Sequence, residues 1–285
     1  MKLTVLVDNN TLIDRYFLAE PGVAYYIEIG ATKILFDTGY SDIFLKNASR
    51  MGIDLLAIDI LVLSHAHLDH TWGLQHLIQA FAERRFHNRP AKRPTLVAHP
   101  TVFDRRFIPG LGDIGCLVSR ETAAQYFDLQ LSRQPQWLHP ELVFLGEIER
   151  GNDFEALEPI GRIFQEDGES DDFLLDDSSL AFRSADGLVV IAGCAHAGIC
   201  NTVAQAMRIC DDHRLADIIG GFHLLDPTPK QLDNTVSQLA DWTPKRLHAC
   251  HCTDFKSRLA LAQAADLQDV GVGLELIYET GKGKE

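Results

Sequence analysis

Four residues with metal-ligand chemistry lie within six positions of the chain: His65, His67, Asp69 and His70, in the stretch Ser64-His-Ala-His-Leu-Asp-His-Thr-Trp-Gly-Leu74. Imidazole and carboxylate together suit borderline divalent cations, zinc first among them. The bland alternative is four polar residues in a solvated loop, but ligand-type residues at fixed spacing form a strong motif class. Residues 60–63, just before the motif, are apolar and read as a strand. A strand buries its aliphatic side chains and then releases the chain into a tight loop. In that loop His65 and His67 can point at one cation, and Asp69 and His70 at a neighbour.

The elements that must position such a loop are legible around it. Residues 3–7, 23–29 and 33–36 are rich in β-branched and apolar residues and read as strands, with Gly30-Ala31 as the turn between the last two. Residues 41–51 read as a short helix with Ser41 as its N-cap. Residues 58–63 form the strand that delivers the motif. Residues 73–85 follow as a helix, with Leu74, Leu77, Ile78 and Phe81 at helical spacing and Arg84 and Arg85 at its negative end. The second half repeats the order of strand, histidine-bearing loop and helix. Residues 188–192 lead into Gly193-Cys-Ala-His-Ala-Gly198 and a helix over 199–210. A strand over 217–222 ends at His223, a helix covers 229–242, and a final strand over 245–249 runs to His251. Three successive strands that each end in a histidine can converge on one site. His196, in a short loop flanked by glycine, is the first additional ligand candidate, with a buried or capping histidine as the alternative.

Residues 100–150 carry the glycine-rich run Pro109-Gly-Leu-Gly-Asp-Ile-Gly115 and read as an insertion, either a lid or pocket wall over the site or a plain connector. Residues 166–177 form an acidic loop that reads as a solvated face. Asp176 and Asp177 lie just before a strand over 180–183, which leaves a metal or pocket role as the alternative. His99 reads as structural or lid-contacting. His76, His87, His139, His213 and His248 carry no motif and read as surface residues. Asp37, in Asp-Thr-Gly39, reads as a hydrogen-bonding support of the metal loop. Cys250 and Cys252 flank His251, and in a strand they would share the face opposite to it.

The chain resembles a known family. His65-x-His67-x-Asp69-His70 is similar to the signature of the metallo-β-lactamase-fold hydrolases, and Ile34-Leu-Phe-Asp-Thr-Gly39 to the strand and turn before it. Asn47-Ala48, Met51-Gly-Ile-Asp54, Gly146-Glu-Ile-Glu-Arg150, Gly193-Cys-Ala-His-Ala-Gly198, Gly220-Gly-Phe-His223 and His251-Cys-Thr253 resemble one branch, the dihydropterin–ribofuranosylaminobenzene phosphate synthase-like proteins. The matches run from about residue 4 to residue 253. The resemblance implies a single αββα sandwich over residues 1–285, two mixed sheets with outer helices and metals at one edge. Alternation alone reaches only as far as α/β. The resemblance also implies His251 as the last histidine ligand. It puts Cys194 where the superfamily often has a bridging aspartate, as a ligand or a buried thiol. His223 is then a branch-specific pocket residue, or a ligand in place of His251. Two departures bear on the substrate: Trp72 stands where the branch carries a small residue, and Gly22-Val-Ala-Tyr-Tyr26 stands where it carries a Gly-Leu-Ser-like stretch. Both are expected near the pocket mouth, where Trp72, Tyr25 and Tyr26 could stack on a ligand or belong to the core.

Composition limits what such a site serves. The net charge of −14 disfavours a nonspecific binder of nucleic acid or of anionic membrane, either of which needs a basic face. It leaves an anionic substrate open, because two bound dications invert the local field. No apolar run approaches the roughly 20 residues of a membrane span, and the N-terminal apolar run breaks at Asp8-Asn-Asn10, too soon for a signal peptide. Six cysteines in 285 residues do not suggest a disulfide framework, so the cytoplasm is the expected compartment. No feature sets an oligomeric state. The expected cofactor is two divalent metal ions, zinc first, with manganese, iron and nickel open. The expected partner is a small-molecule substrate.

The expected activity is hydrolysis of a small anionic ester, a phosphoester first, by metal-activated hydroxide, with Asp69 as the catalytic carboxylate. Two other readings stand beside it. One is a pterin-related synthase that releases pyrophosphate. The other is a metal or ligand sensor without turnover.

Overall fold

The structure is a computed structural model that describes residues 1–90 and 92–281; Ala91 and residues 282–285 lie outside it. The chain opens with an antiparallel meander of β1 (Lys2–Val7), β2 (Ala24–Ile29) and β3 (Thr32–Phe36). Helix α1 (Ile43–Arg50) leads to β4 (Ile60–Val62). The one-turn helix α2 (Leu68–Thr71) and α3 (Leu74–Phe86) lead to β5 (Thr95–Ala98). Next come β6 (Arg105–Ile108), β7 (Gly112–Asp113), the short helix α4 (Arg120–Ala123) and β8 (Asp128–Leu131). The second half runs through β9 (Gln136–His139), β10 (Leu142–Phe144), β11 (Arg162–Gln165), β12 (Gly168–Asp171), β13 (Ser179–Ser184) and β14 (Gly187–Ala192). It ends with α5 (Ile199–Cys210), β15 (Leu215–Gly221), α6 (Pro229–Trp242), β16 (Leu247–Cys250), α7 (Phe255–Leu261) and β17 (Glu275–Ile277).

These strands form two large mixed sheets. The first has the order β17-β1-β2-β3-β4-β5-β8 and is parallel from β3 to β8; the second has the order β16-β15-β14-β13-β10-β9 and is parallel from β14 to β16. A small antiparallel sheet, β12-β11-β6-β7, stands beside them. Side-chain alternation sets the layers. Ile34 and Phe36 of β3 pack in one buried cluster with Val189 and Ile191 of β14, so these faces meet between the sheets. Leu35 faces the other way onto Phe44, Leu77 and Phe81 of α1 and α3, and Val190 faces Val203, Ala206 and Leu239 of α5 and α6. The result is the four-layer α/β/β/α sandwich that the sequence led us to expect.

Helices 199–210 and 229–242 have the expected bounds; Thr228 caps α6 by accepting from Gln231 N–H, with Pro229 in its first turn. Three local expectations change. Asp42, not Ser41, occupies the N-cap of α1, while Ser41 Oγ donates to Glu20 (2.6 Å). The strand over 245–249 is not the last, since α7 and β17 follow. Residues 100–150 contribute to all three sheets: β6 and β7 form a hairpin around the glycine-rich run, β8 edges the first sheet, and β9 and β10 edge the second.

The inter-sheet core fixes the distance between the loops of the two sheets. Phe182, fully buried there, leaves a large void when truncated. Phe182→Ala is expected to cost about 3–5 kcal/mol. Urea denaturation measures this, and a loss below about 1 kcal/mol would show that this part of the core collapses freely.

Candidate metal centre

The ligand candidates gather where strands of both sheets end. His65, His67 and His70 follow β4; Cys194 and His196 follow β14; His223 follows β15; and His251 follows β16. Because β14, β15 and β16 run parallel, their exits lie side by side. Each exit turns through a non-glycine residue with left-handed backbone: Ala195 (φ 49°), His223 (φ 51°) and His251 (φ 50°). Such residues are uncommon, and at strand exits they re-aim the chain. The turn at His251 ends the alternation that would have put Cys250 and Cys252 on one face. Cys250 Sγ instead meets the Tyr25 hydroxyl (3.4 Å), and Cys252 Sγ accepts the His223 backbone N–H (3.3 Å).

Two ligand groups share one thiol. His65, Cys194 and His196 form the first, and His70, Cys194 and His251 the second; within each group the donor atoms lie within 4.8 Å of one another. His65 Nε2 is 3.1 Å from His196 Nε2, His70 Nε2 is 3.3 Å from His251 Nε2, and Cys194 Sγ is 3.2 Å from His70 Nε2. His67 flanks the first group, its ring centroid 4.8 Å from that of His65 and 4.7 Å from that of His196. Asp69 flanks the second, with Oδ2 3.3 Å from His251 Nε2 and 3.9 Å from His70 Nε2. The His223 ring lies 4.3 Å from that of His196, tilted by 54°. Trp72 stands apart: it stacks on Tyr40 (5.2 Å), and its Nε1–H donates to Gly115 O (2.8 Å). Tyr25 and Tyr26 are buried and belong to the core, not to the mouth.

This donor set fits a borderline cation. Imidazole, thiol and carboxylate are what zinc and its neighbours bind. His67 Nε2 is buried without a hydrogen-bond partner, which a cation would satisfy. Burial keeps His65 and His196 well below the ordinary histidine range, helped by neighbouring imidazoles, and pushes His67 down to about 3. Three imidazoles are therefore already in the neutral form that binds metal. His70 differs. Burial opposes its protonation, but the Asp69 and Asp37 carboxylates outweigh burial and raise it to about 9. Asp69 stays ionised, because His70 and His251 outweigh the burial that would raise it.

Buried aspartates hold the loops. Asp37 accepts the Ser64 N–H and the Ser64 hydroxyl, both at 2.7 Å, and lies 2.7 Å from His70 Nδ1, the supporting role expected of it. Gly193 passes so close that an added Cβ would lie 2.3 Å from Ser64 Oγ. Asp176 and Asp177 are not a solvated face; both are buried. Asp176 accepts the Ala66 N–H (2.9 Å) between two ligand histidines, and Asp177 accepts the Ala197 N–H (2.9 Å) beside His196. Burial raises these carboxyls to about 6 and about 7. Arg106, itself buried, pairs with Asp176 (2.8 Å) and Asp172 (2.9 Å). Asp8 accepts the His251 N–H (3.2 Å), and Asn9 Oδ1 is 2.9 Å from His251 Nδ1. Asp8 and Asn9 were readable only as the end of an apolar run, yet polar residues at the exit of a strand were the signal used elsewhere. His248 is buried rather than on the surface, 2.8 Å from Asp217. His99 is the structural residue expected, between Thr101 (2.9 Å) and Glu147 (3.1 Å).

A four-layer sandwich with paired imidazole groups at the sheet exits defines a class of metal-binding α/β proteins. The sequence matches the family described as the metallo-beta-lactamase superfamily over residues 18–203, and the chain belongs to that superfamily. It is similar to 7,8-dihydropterin-6-methyl-4-(beta-D-ribofuranosyl)-aminobenzene-5'-phosphate synthase of Methanocaldococcus jannaschii, 29% identical over 270 residues, covering 90% of this chain and 89% of that one. Among solved structures it resembles a metal-dependent hydrolase of the beta-lactamase superfamily, at 25% identity and a TM-score of 0.80, covering 97% of this chain and 98% of that one. It also shares the fold of the Zn(2+)-bound PqqB from Methylobacterium extorquens, at 12% identity and a TM-score of 0.53, covering 97% and 100%. Among the described residues no helix is long and apolar enough to cross a membrane.

Two outcomes test this account. Arg106→Met strands two buried carboxylates, so it is expected to cost about 3–5 kcal/mol in chemical denaturation; a loss under 1 kcal/mol would mean the ion cluster does not hold the loop. The second concerns pH. The folded-state pKa of His67 lies below its unfolded value, so below pH 6.5 the unfolded chain binds the extra proton. The stability tied to His67 is thus present above about pH 6.5 and lost as pH falls toward 3. In metal-free protein, His67→Gln should flatten the acid limb of the stability curve by up to about 1.4 kcal/mol per pH unit, and an unchanged limb would refute the assignment.

Proposed function

We propose that this protein is a metal-dependent hydrolase of a small anionic ester, a phosphoester first. The observation that carries the reading is the pair of imidazole groups meeting at Cys194, with an ionised carboxylate, Asp69, beside the second. His65, His67 and His196 would hold one divalent cation and His70, Asp69 and His251 the other, with Cys194 between them; the thiol–imidazole mixture favours zinc. Bound dications supply Lewis acidity and lower the pKa of water toward about 7.

The chain's own groups do the rest. Asp37 fixes the tautomer and ring plane of His70 by accepting at Nδ1, which turns Nε2 toward Cys194 and His251. Asn9 orients His251 from Nδ1 in the same way. Asp69, partly exposed, stays ionised and orients an attacking water by accepting its hydrogen bond. His196 Nδ1 and His223 Nδ1 are buried without a hydrogen-bond partner, and both residues line a cleft beside the metal centre. The positive field of the bound site draws an anion to a protein of net charge −14.

A second reading has support in the 29% identity to a synthase over nine-tenths of this chain: a group transfer that releases pyrophosphate. Metal-loaded protein with bis(p-nitrophenyl) phosphate, and separately with a dihydropterin diphosphate in the presence and absence of a ribofuranosyl-aminobenzene phosphate acceptor, decides between them. Nitrophenolate release that falls roughly 10²-fold or more in Asp69→Asn supports the hydrolase. Pyrophosphate release that depends on the acceptor, with no nitrophenolate, would move the assignment to the synthase. Bound metal with neither product would leave a sensor.

A further inference from the structure

A cleft of about 270 Å³ opens beside the metal centre, with His196 and His223 in its lining. It is small for a small-molecule pocket, which typically holds roughly 300–1,000 Å³, so it suits one arm of a substrate. Its walls come from two segments, one that the sequence did not single out and the other the end of the acidic loop over 166–177. Phe154, Leu157, Pro159 and Ile160 form one wall, and Phe173 and Leu174 the other. Glu158, Thr228 and Gln231 supply polar groups to the lining. Leu157 and Phe173 are 57% and 40% exposed, so both present apolar surface in the lining of this cleft. A larger cleft of about 360 Å³, lined by Arg133, Glu147, Gln205 and Arg208 among others, includes none of the ligand residues.

Both walls are built in rather than loose. Glu155 is buried, and its carboxylate accepts the Cys200 and Asn201 N–H groups (3.0 Å each) at the start of α5. An added Cβ at Gly198 would lie 2.3 Å from that carboxylate, so a side chain there would displace it. Asn152 donates to Glu155 (2.8 Å), Gly151 N–H donates to Asn201 (2.9 Å), and Lys230 pairs with Asp153 (2.8 Å). The opposite wall hangs from charged groups too: Asp172 pairs with Arg106 (2.9 Å), and Arg150 donates to the Phe173 and Leu174 carbonyls. A wall fixed before binding loses little freedom on binding, so its shape selects ligands.

We propose that Leu157 and Phe173 are specificity-determining residues, that Glu155 is the positioning residue for their wall, and that the substrate carries an apolar, ring-sized group next to its anionic reacting end. The anion lies against His196 and His223, and the ring lies between Phe154, Leu157 and Phe173. This rests on the hydrolase reading for the reacting end, but the cleft can be tested without turnover. The probes are two non-hydrolysable anions, 1-naphthylmethylphosphonate and methylphosphonate, titrated calorimetrically into metal-loaded protein. We expect the naphthyl compound to bind roughly tenfold or more tightly. In the Leu157→Ala/Phe173→Ala double variant, both sites being exposed, the preference should fall to within about threefold while methylphosphonate affinity is unchanged. Glu155→Gln should reduce the same ratio, whereas a merely structural loss would weaken both anions alike. Equal binding by wild type, no binding of either anion, or a preference kept by the double variant would overturn the proposal. Phosphodiester turnover without this preference would leave the hydrolase reading standing alone. The preference without turnover would keep the cleft and remove the hydrolase.

Discussion

Buried aspartates outside the proposed ligand set hold the loops that carry the ligands. Asp8 takes the backbone N–H of His251, Asp37 that of Ser64, Asp176 that of Ala66 and Asp177 that of Ala197. Each bond ends on a ligand or on its neighbour in the chain. A ligand loop at a sheet exit has left the strand ladder, so its N–H groups need other partners. Carboxylates are the strongest acceptors available for them. These bonds help to hold the loops at a spacing where the Nε2 atoms of His65 and His196 lie 3.1 Å apart and those of His70 and His251 3.3 Å apart.

That arrangement carries an electrostatic cost that is spread unevenly. The His65, His67 and His196 end stays neutral, since burial and mutual repulsion oppose any proton. The His70 end gathers two carboxylates, Asp37 and Asp69, and keeps a positive charge in the absence of metal. On the proposed two-cation reading, the first group would offer neutral ligands, while the second would have to give up a proton.

How much of this could be read from the sequence follows from range. The His65–His70 cluster is local, so its spacing carries the signal. Helices α5 and α6 have periodic apolar faces, and the ranges expected from them match Ile199–Cys210 and Pro229–Trp242. His196, His223 and His251 were legible because each ends an apolar run. Asp176 and Asp177 were not, because an acidic run looks solvated until a partner is known. Theirs are Ala66 and Ala197, 110 and 20 positions away, with Arg106 closing the cluster from the small sheet. His248 was misread for the same reason: its partner Asp217 lies on the neighbouring strand. Glu155 shows the limit most sharply. A glutamate in a loop carries no pattern, and its role appears only when α5 and Gly198 are placed against it.

The left-handed residues at the three strand exits connect fold to chemistry. Ala195, His223 and His251 each bend the chain where β14, β15 and β16 stop, and none is glycine. A glycine at any of them would ease the backbone, but at two it would delete the imidazole itself. The strained turn and the candidate site side chain are therefore the same residue at His223 and His251. Such strain persists only where the surroundings over-determine it. At His251 the determinants are Asp8 on the backbone N–H and Asn9 on the ring; at His223 it is the Cys252 thiol on the backbone N–H. The sheets supply parallel exits, the buried carboxylates and the thiol hold the turns after them, and the imidazoles are aimed by both. Strand pairing alone would place these residues near one edge of the sandwich, while the ångström-scale convergence comes from the polar groups buried beneath them.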